Sequence, residues 1–225
     1  TLDGLLKHNG PITDISKIDE IIGVSNLNNK IIYRNFSSLE AQISSIADDI
    51  AYNNHDIQDG IRAKLFKLKD LIELDFFNEI YKSYNNKKNS KNDDILIYQI
   101  IRDSINLMVK DLIENTIKNL KKYKIKSIND VYKSKIPLVC LSTEYKKIEN
   151  EIRFFLKTKM YNNKNVKIKN NKGKKIIKKL FDVINKNPRK FLNPNQLIFN
   201  KNRAIADYIS GMTDRFAINL YKKII

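Results

Sequence analysis

From Leu39 to Asp59 the chain runs without a proline or a glycine, and its isoleucines recur there at helical spacing. Ile43, Ile46, Ile50, Ile57 and, just beyond, Ile61 fall within about 60° of one another when each residue advances by about 100°. A stripe of this kind has to be buried against another element. Ser38 stands before it as an N-cap, and Glu40 and Gln42 occupy the first turn, where an acidic side chain meets the positive end of the helix dipole. A long amphipathic helix is therefore the element around which the rest of the chain has to be arranged.

The same period recurs along the sequence. Leu2, Leu5 and Leu6 open a short helix, and Pro11 and Gly23 punctuate an irregular stretch over 10–37. The spacing predicts helices over 64–84, 94–122, 142–160, about 173–187 and about 202–222. Between them lie a polar loop at 83–92 (SYNNKKNSKN), a connection at 127–135, and a basic polar stretch at 161–172. Pro188 and Pro194 mark a last irregular segment. No period-two strand pattern and no internal repeat is found, so the expected fold is all-α with six to eight helices.

Composition narrows the class. The 225 residues are 42% apolar, which supplies a core and excludes a disordered, collagen-like or disulfide-stapled chain. Cys140 stands alone, which makes a reducing cytoplasm the default. No apolar run approaches the ~18 residues that span a bilayer, so no membrane segment is expected. The chain starts at Thr1, without Met and within a helical pattern, which suggests the C-terminal portion of something longer. The net charge is +17, with 35 Lys against 7 Arg, 29 Asn and 36 Ile. AT-rich codons would impose that bias on exposed positions, and a surface selected for polyanions would also show it. Nucleic-acid readers more often cluster Arg.

Opposite the isoleucine stripe, the 39–59 helix carries chemistry. With Asp48 at zero, Tyr52 sits at about +40°, His55 at about −20°, Asp56 at about +80° and Asp59 at about +20°. Neither Lys nor Arg occurs between Glu40 and Gly60. In a strongly basic chain this face is either a solvated helix surface or a place for a divalent cation, whose usual ligands are carboxylate and imidazole. His8 together with His55-Asp56 would mimic the His … His-Asp … Asp order of HD metallohydrolases. The IQDGI continuation after Asp56 does not fit that motif, and His8 lies just before a proline-containing irregular segment, so His55-Asp56 is not read as the ligand pair.

The segment EAQISSIADDIAYNNHDIQDGIRA, Glu40 to Ala63, closely resembles the part of bacterial deoxyguanosinetriphosphate triphosphohydrolase-like proteins that carries their last metal-binding Asp. LDGLLKHNGPI (2–12), LVCLSTEYKKIENEIRFFLKTKMY (138–161) and ADYISGMTDRFAINLYKKI (206–224) are similar to further segments of that family, and 164–200 is a looser match. The resemblance implies an HD-domain hydrolase that splits a dNTP into deoxynucleoside and triphosphate beside a divalent metal, Mg²⁺ or Mn²⁺. By position in the motif it makes Asp48 a metal ligand, Tyr52 the aromatic wall of the deoxyribose and Asp56 the acceptor of the sugar 3′-hydroxyl. His55 is either an outer partner of the site or a hydrogen-bonded pocket histidine. Asp49 and Asp59 read as caps or surface partners. Arg62 and Arg102 read as triphosphate contacts or structural ion pairs, and Asp207, Tyr208, Asp214 and Arg215 as helix-pairing or substrate-contacting groups.

The resemblance divides the chain into 1–82, the C-terminal part of the metal-binding core, and 83–225, a helical C-terminal region. The family's other ligands, a His and a His-Asp pair, have no counterpart here, so the chain is expected to be inactive alone and to work with an N-terminal part. Homo-oligomerisation and weak single-stranded DNA binding, through 83–92 and 161–175, are further expectations. A non-catalytic helical remnant, or a basic nucleotide- or nucleic-acid-binding module, is the alternative.

Overall fold

The computed structural model describes residues 2–16, 31–85, 93–198 and 200–224, and no strand occurs among them. Ten α-helices do, and the chain divides into two compact units, Thr1–Met160 and Tyr161–Ile225. The all-α class agrees with expectation. The helix count exceeds six to eight because short segments such as Leu2–Leu6 and Leu68–Leu71 form helices of their own.

The first unit contains α1 (Leu2–Leu6), α2 (Leu39–Arg62), α3 (Leu68–Leu71), α4 (Asp75–Asn85), α5 (Asp93–Lys122), α6 (Ile128–Lys133) and α7 (Thr143–Leu156). In α2 the Ser38 hydroxyl accepts from the Ala41 N–H at 3.4 Å, as an N-cap should. Ile50 and Ile57 are fully buried, and Ile46 and Ile61 pack at the margin of the same core. Ile43 departs from the expected stripe and is exposed, because the first turns of α2 direct Gln42 inward instead. The Gln42 amide donates to the Ser37 carbonyl at 2.8 Å, and its oxygen accepts from the N–H groups of Leu138 and Val139 at 3.0 and 3.2 Å.

The same 138–142 segment is gripped from α5. Asn119 donates to the Leu138 carbonyl at 3.0 Å, Asn115 to the Cys140 carbonyl at 2.8 Å, and Asp111 accepts from the Ser142 N–H at 2.8 Å. These three residues recur at i, i+4 and i+8, one side of a helix. A non-helical segment that would otherwise bury unpaired backbone groups is thereby satisfied between α2 and α5. Beneath it, Ile100, Met108, Phe77, Leu71, Ile152 and Leu156 form the centre of the core.

Two expectations for this unit are corrected. The predicted helix over 64–84 is two helices, α3 and α4, with a break at 72–74. The connection expected at 127–135 contains α6, whose N-terminus is a capping box. The Ser127 hydroxyl accepts from the Asp130 N–H, and the Asp130 carboxylate accepts from the Ser127 N–H at 2.8 Å.

The second unit comprises α8 (Lys164–Lys186), α9 (Lys201–Ser210) and α10 (Asp214–Ile224), with single 3₁₀ turns at Pro188–Lys190 and Pro194–Leu197. Ile176, Leu180, Ile184, Leu192, Ile205, Ile209 and Ala217 form its core. α8 starts well before the expected 173, with Asn163 capping it through the Asn165 N–H at 2.9 Å. Lysine is a good helix former, and this first half buries nothing, so hydrophobic periodicity could not report it. The single helix expected at 202–222 is two, parted at Gly211. Packing thus divides the chain after Met160, whereas the division expected from resemblance falls at 82/83, within the first unit. The expected loop at 83–92 lies mostly outside the described residues; α4 runs on to Asn85. No helix among the described residues is long and apolar enough to cross a membrane.

Candidate functional site on helix α2

α2 lies against α5 and α7 on one side, and its other side carries Asp48, Tyr52, His55 and Asp59 exposed and Asp56 half-buried. The sequence-predicted residues therefore share one face, as their spacing requires. Asp59 lies 3.7 Å from Arg62 in an exposed i, i+3 pair, and Arg62 also meets Tyr98 of α5, which with Asp59 holds the guanidinium above its ordinary pKa.

The structure adds a residue that the sequence reading had set aside. His8, from the turn after α1, places Nε2 3.6 Å from Oδ2 of Asp48. In the sequence His8 figures only as the first member of an HD ligand order, which the residues after Asp56 do not fit. Its neighbourhood to Asp48 needs no such order. α1 packs on the start of α2 so closely that a Cβ on Gly4 would lie 2.8 Å from that of Ala41. A cavity of about 290 Å³ lies alongside, between His8, Gly10, Gln42, Ser45, Asp49 and Val139.

Asp49 has a definite partner, as expected for a non-catalytic acid, but across helices. Arg153 of α7 reaches it at 3.0 Å and makes two further bonds, at 3.0 and 2.7 Å, to Glu149. The Glu149 side chain is 1% exposed and is met from its other side by Lys146 at 2.5 Å. Burial pulls the Arg153 guanidinium toward a lower pKa, but Glu149 and Asp49 outweigh it and hold it above its ordinary value. This network fixes the α2 residue next to Asp48 to α7. The periodicity of 142–160 predicted the helix but gave no sign of it, because it depends on which residues of two distant helices meet.

Other sequence candidates are spread elsewhere. Tyr84 donates to Asp103, which, with some burial, raises the pKa of its phenol, and Arg102 sits beside this pair. The Arg203 Nε–H is shared between the two Asp207 carboxylate oxygens at 2.8 and 3.0 Å within α9, so Asp207 pairs along its own helix. Tyr208 packs its ring near Phe191, and Asp214 sits in the first turn of α10, the favourable end for an acid. A groove of about 680 Å³ between α4, α5 and α7 does not include the Asp48 face.

A carboxylate and an imidazole are fitting donors for a divalent cation. Among the described residues no group of three or more His, Cys, Asp or Glu side chains converges. Asp48 lies exposed on α2, and Tyr52 and Asp56 continue its face one and two turns on.

The chain is similar to known proteins along its whole length. Residues 139–223 match the phosphohydrolase-associated domain family. The whole chain is 64% identical over 224 residues to a protein of Pelagibacter ubique named deoxyguanosinetriphosphate triphosphohydrolase-like protein, of which it covers 60%. Proteins of the same name from Rickettsia typhi and Rickettsia prowazekii are 36% and 35% identical over 229 residues, covering 99% of this chain and 59% of theirs. The chain thus spans about 60% of the length of the relatives it matches.

Proposed function

We infer that this chain, homologous along its whole length to deoxyguanosinetriphosphate triphosphohydrolase-like proteins, is the C-terminal portion of a metal-dependent dNTP triphosphohydrolase and contributes the metal-and-sugar wall of its site. The observation that carries this reading is the single face of α2 on which Asp48, Tyr52 and Asp56 follow at one-turn steps within a homologous chain.

In this reading Asp48 is a ligand of a divalent cation, Mg²⁺ or Mn²⁺. Such an ion, when bound, acidifies a water and polarises the α-phosphoryl oxygen, which is the chemistry of releasing intact triphosphate. The remaining work falls to side chains of this chain. Asp56 lies roughly 12 Å from Asp48 along the helix axis at 1.5 Å per residue, with Tyr52 midway. A nucleotide laid along α2 with its phosphates at Asp48 therefore presents its sugar to Tyr52 and Asp56. The Asp56 carboxylate accepts the 3′-hydroxyl, and the Tyr52 ring under the sugar leaves no room for a 2′-hydroxyl. His55, on the same face, lies outside the first contacts. A dNTP pool is cytoplasmic, which is where the reading places the protein, and as a homo-oligomer.

The test is triphosphate release from each dNTP by the full-length protein, in which this chain is extended as in its relatives. Turnover that depends on Mn²⁺ or Mg²⁺ and disappears in a folded Asp48→Ala variant is the expected result. Wild-type turnover in that variant would remove Asp48 from the site.

The second reading, a basic nucleic-acid-binding surface, is favoured by one observation. The lysines of α8 from Lys164 to Lys179 are exposed along a helix half that buries nothing up to Ile176. Binding of single-stranded DNA there would be weak and mainly electrostatic, its affinity falling with salt at a log–log slope of roughly −0.7 per phosphate contact. An affinity equal at low and physiological salt would exclude it.

A further inference from the structure

We propose that His8 is a positioning residue for Asp48: its imidazole holds one carboxylate oxygen, Oδ2, and so turns the other toward the place where a divalent cation is bound. The inference rests on the reading of Asp48 as a metal ligand.

The two groups are 3.6 Å apart, with side-chain exposures of 45% and 69%. That is longer than a hydrogen bond, which runs at about 2.7–3.2 Å, and is the distance of an ion pair only when the imidazole is protonated. An exposed carboxylate on a helix surface samples its rotamers freely, so a small turn about its side-chain bonds closes the gap. A carboxylate also has two oxygens to divide between two partners. When one is held from outside, the other has a defined direction, which is how outer partners raise the affinity of a ligand set.

The position of His8 is built, not the chance reach of a flexible side chain. The Ser45 hydroxyl donates to the His8 carbonyl. Ser45 and Asp48 are three residues apart on α2 and so neighbours on one face. α2 therefore grips the backbone of His8 with one residue and meets its ring with the next on that face. Upstream, the Lys7 ammonium is buried against Asp3 at 2.6 Å, which pins the turn that presents His8. Downstream, the Gly10 N–H donates to the Lys7 carbonyl at 2.9 Å, and Gly10 takes φ 101, where a side chain would be strained. Ile12 then donates to the Tyr33 carbonyl at 2.9 Å. Every one of these fixings concerns the backbone or a neighbour of His8 and leaves its ring to face Asp48.

The experiment is a Mn²⁺ titration of the full-length protein, reading free Mn²⁺ by electron paramagnetic resonance in the absence of nucleotide. Loss of an outer partner costs about 10–100-fold in metal affinity, so His8→Ala is expected to weaken binding by at least about tenfold. His8→Gln, whose amide nitrogen can take the place of Nε2, is expected to stay within about threefold of wild type. His8→Leu keeps the bulk and removes the donor. If His8→Ala unfolds the opening segment, the Leu and Gln variants carry the test between them. Weak binding with Leu and near-normal binding with Gln supports the proposal; equal affinities in the two, or wild-type affinity in His8→Ala, overturns it. Asp48→Ala separates this proposal from the reading beneath it. If it abolishes binding while His8→Ala does not weaken it, only the positioning role fails. If Asp48→Ala itself binds normally, the reading of Asp48 as a ligand fails.

Discussion

Asp56 and Tyr52 have separable jobs in the proposed site, and substrate analogues can separate them. A charge-assisted hydrogen bond from the 3′-hydroxyl to Asp56 is worth about 1.5–3 kcal/mol. In the full-length protein Asp56→Asn should therefore lower kcat/KM for a dNTP by about 10- to 100-fold, while leaving the 2′,3′-dideoxy analogue nearly unaffected. Equal slowing of both substrates would make Asp56 structural. Tyr52→Ala should instead raise the activity on ribonucleotides relative to deoxyribonucleotides, measured as the ratio of their kcat/KM values, and an unchanged ratio would remove Tyr52 from sugar selection. Asp48, Tyr52, His55 and Asp56 were legible because a helix turns i, i+4 and i+8 to one side whatever else the chain does. His8 was not. It meets Asp48 across some forty residues of chain, through the docking of a short helix that buries no residue of its own.

At the scale of elements, the ends of helices carry the next two predictions. At Gly60 the Phe66 ring lies so close that an added Cβ would stand 2.3 Å from it, and Phe66 in turn packs edge-on to Phe155 at 4.8 Å. Gly60→Ala removes a helix-weakening glycine but forces that ring out of the core. Overpacking of this kind costs about 1–3 kcal/mol and outweighs the propensity gain of about 1 kcal/mol. Chemical denaturation should show a net loss of stability, and a gain would contradict the packing. The carboxylates that cap α6 and α3 give a pH dependence. The N–H groups of Lys126 and Ser127, with the Ser127 hydroxyl, hold Asp130 below the usual carboxylate range, and the Lys67 N–H does the same for Asp70. A group whose folded pKa is depressed stabilises above its unfolded pKa and loses that contribution as pH falls through the folded one. Stability should therefore decline as pH drops through and below the ordinary carboxylate range, and less steeply in Asp130→Asn, compared by thermal unfolding across pH. Identical slopes would mean that the cap does not titrate with folding. The elements themselves could be read wherever a buried stripe existed. α6 was missed although Ser127 and Asp130 spelled its capping box, because one short turn gives no periodicity. The first half of α8 was missed because lysine and asparagine carry no pattern of burial.

For the whole molecule, each compact unit has its own apolar centre, so a core deletion has a local address. Leu180 is fully buried at the centre of the second unit, and Leu180→Ala should cost about 2–5 kcal/mol there. Hydrogen exchange should show it as lost protection in α8–α10, and unaltered protection in those helices would contradict the core assignment. The all-α class was open to reading from the sequence because every strong hydrophobic period was helical. The place where packing divides the chain was not, since Lys157–Tyr161 is a single wide π turn that continues α7 with neither proline nor glycine to mark it. The same scale bears on activity. The described residues bring no three metal-binding side chains together, and the chain spans about 60% of its relatives. Alone it should release no triphosphate from any dNTP with Mn²⁺ or Mg²⁺, and release above a no-protein control that Asp48→Ala abolishes would overturn that expectation. The proposed function requires that the α2 face hold one edge of a metal site. Anomalous diffraction at the manganese edge, from crystals of the full-length protein grown with Mn²⁺, tests it most directly. The expected result is a peak about 2 Å from the Asp48 carboxylate, with Tyr52 and Asp56 leading away from it along α2; manganese bound elsewhere, with Asp48 outside its shell, would contradict it.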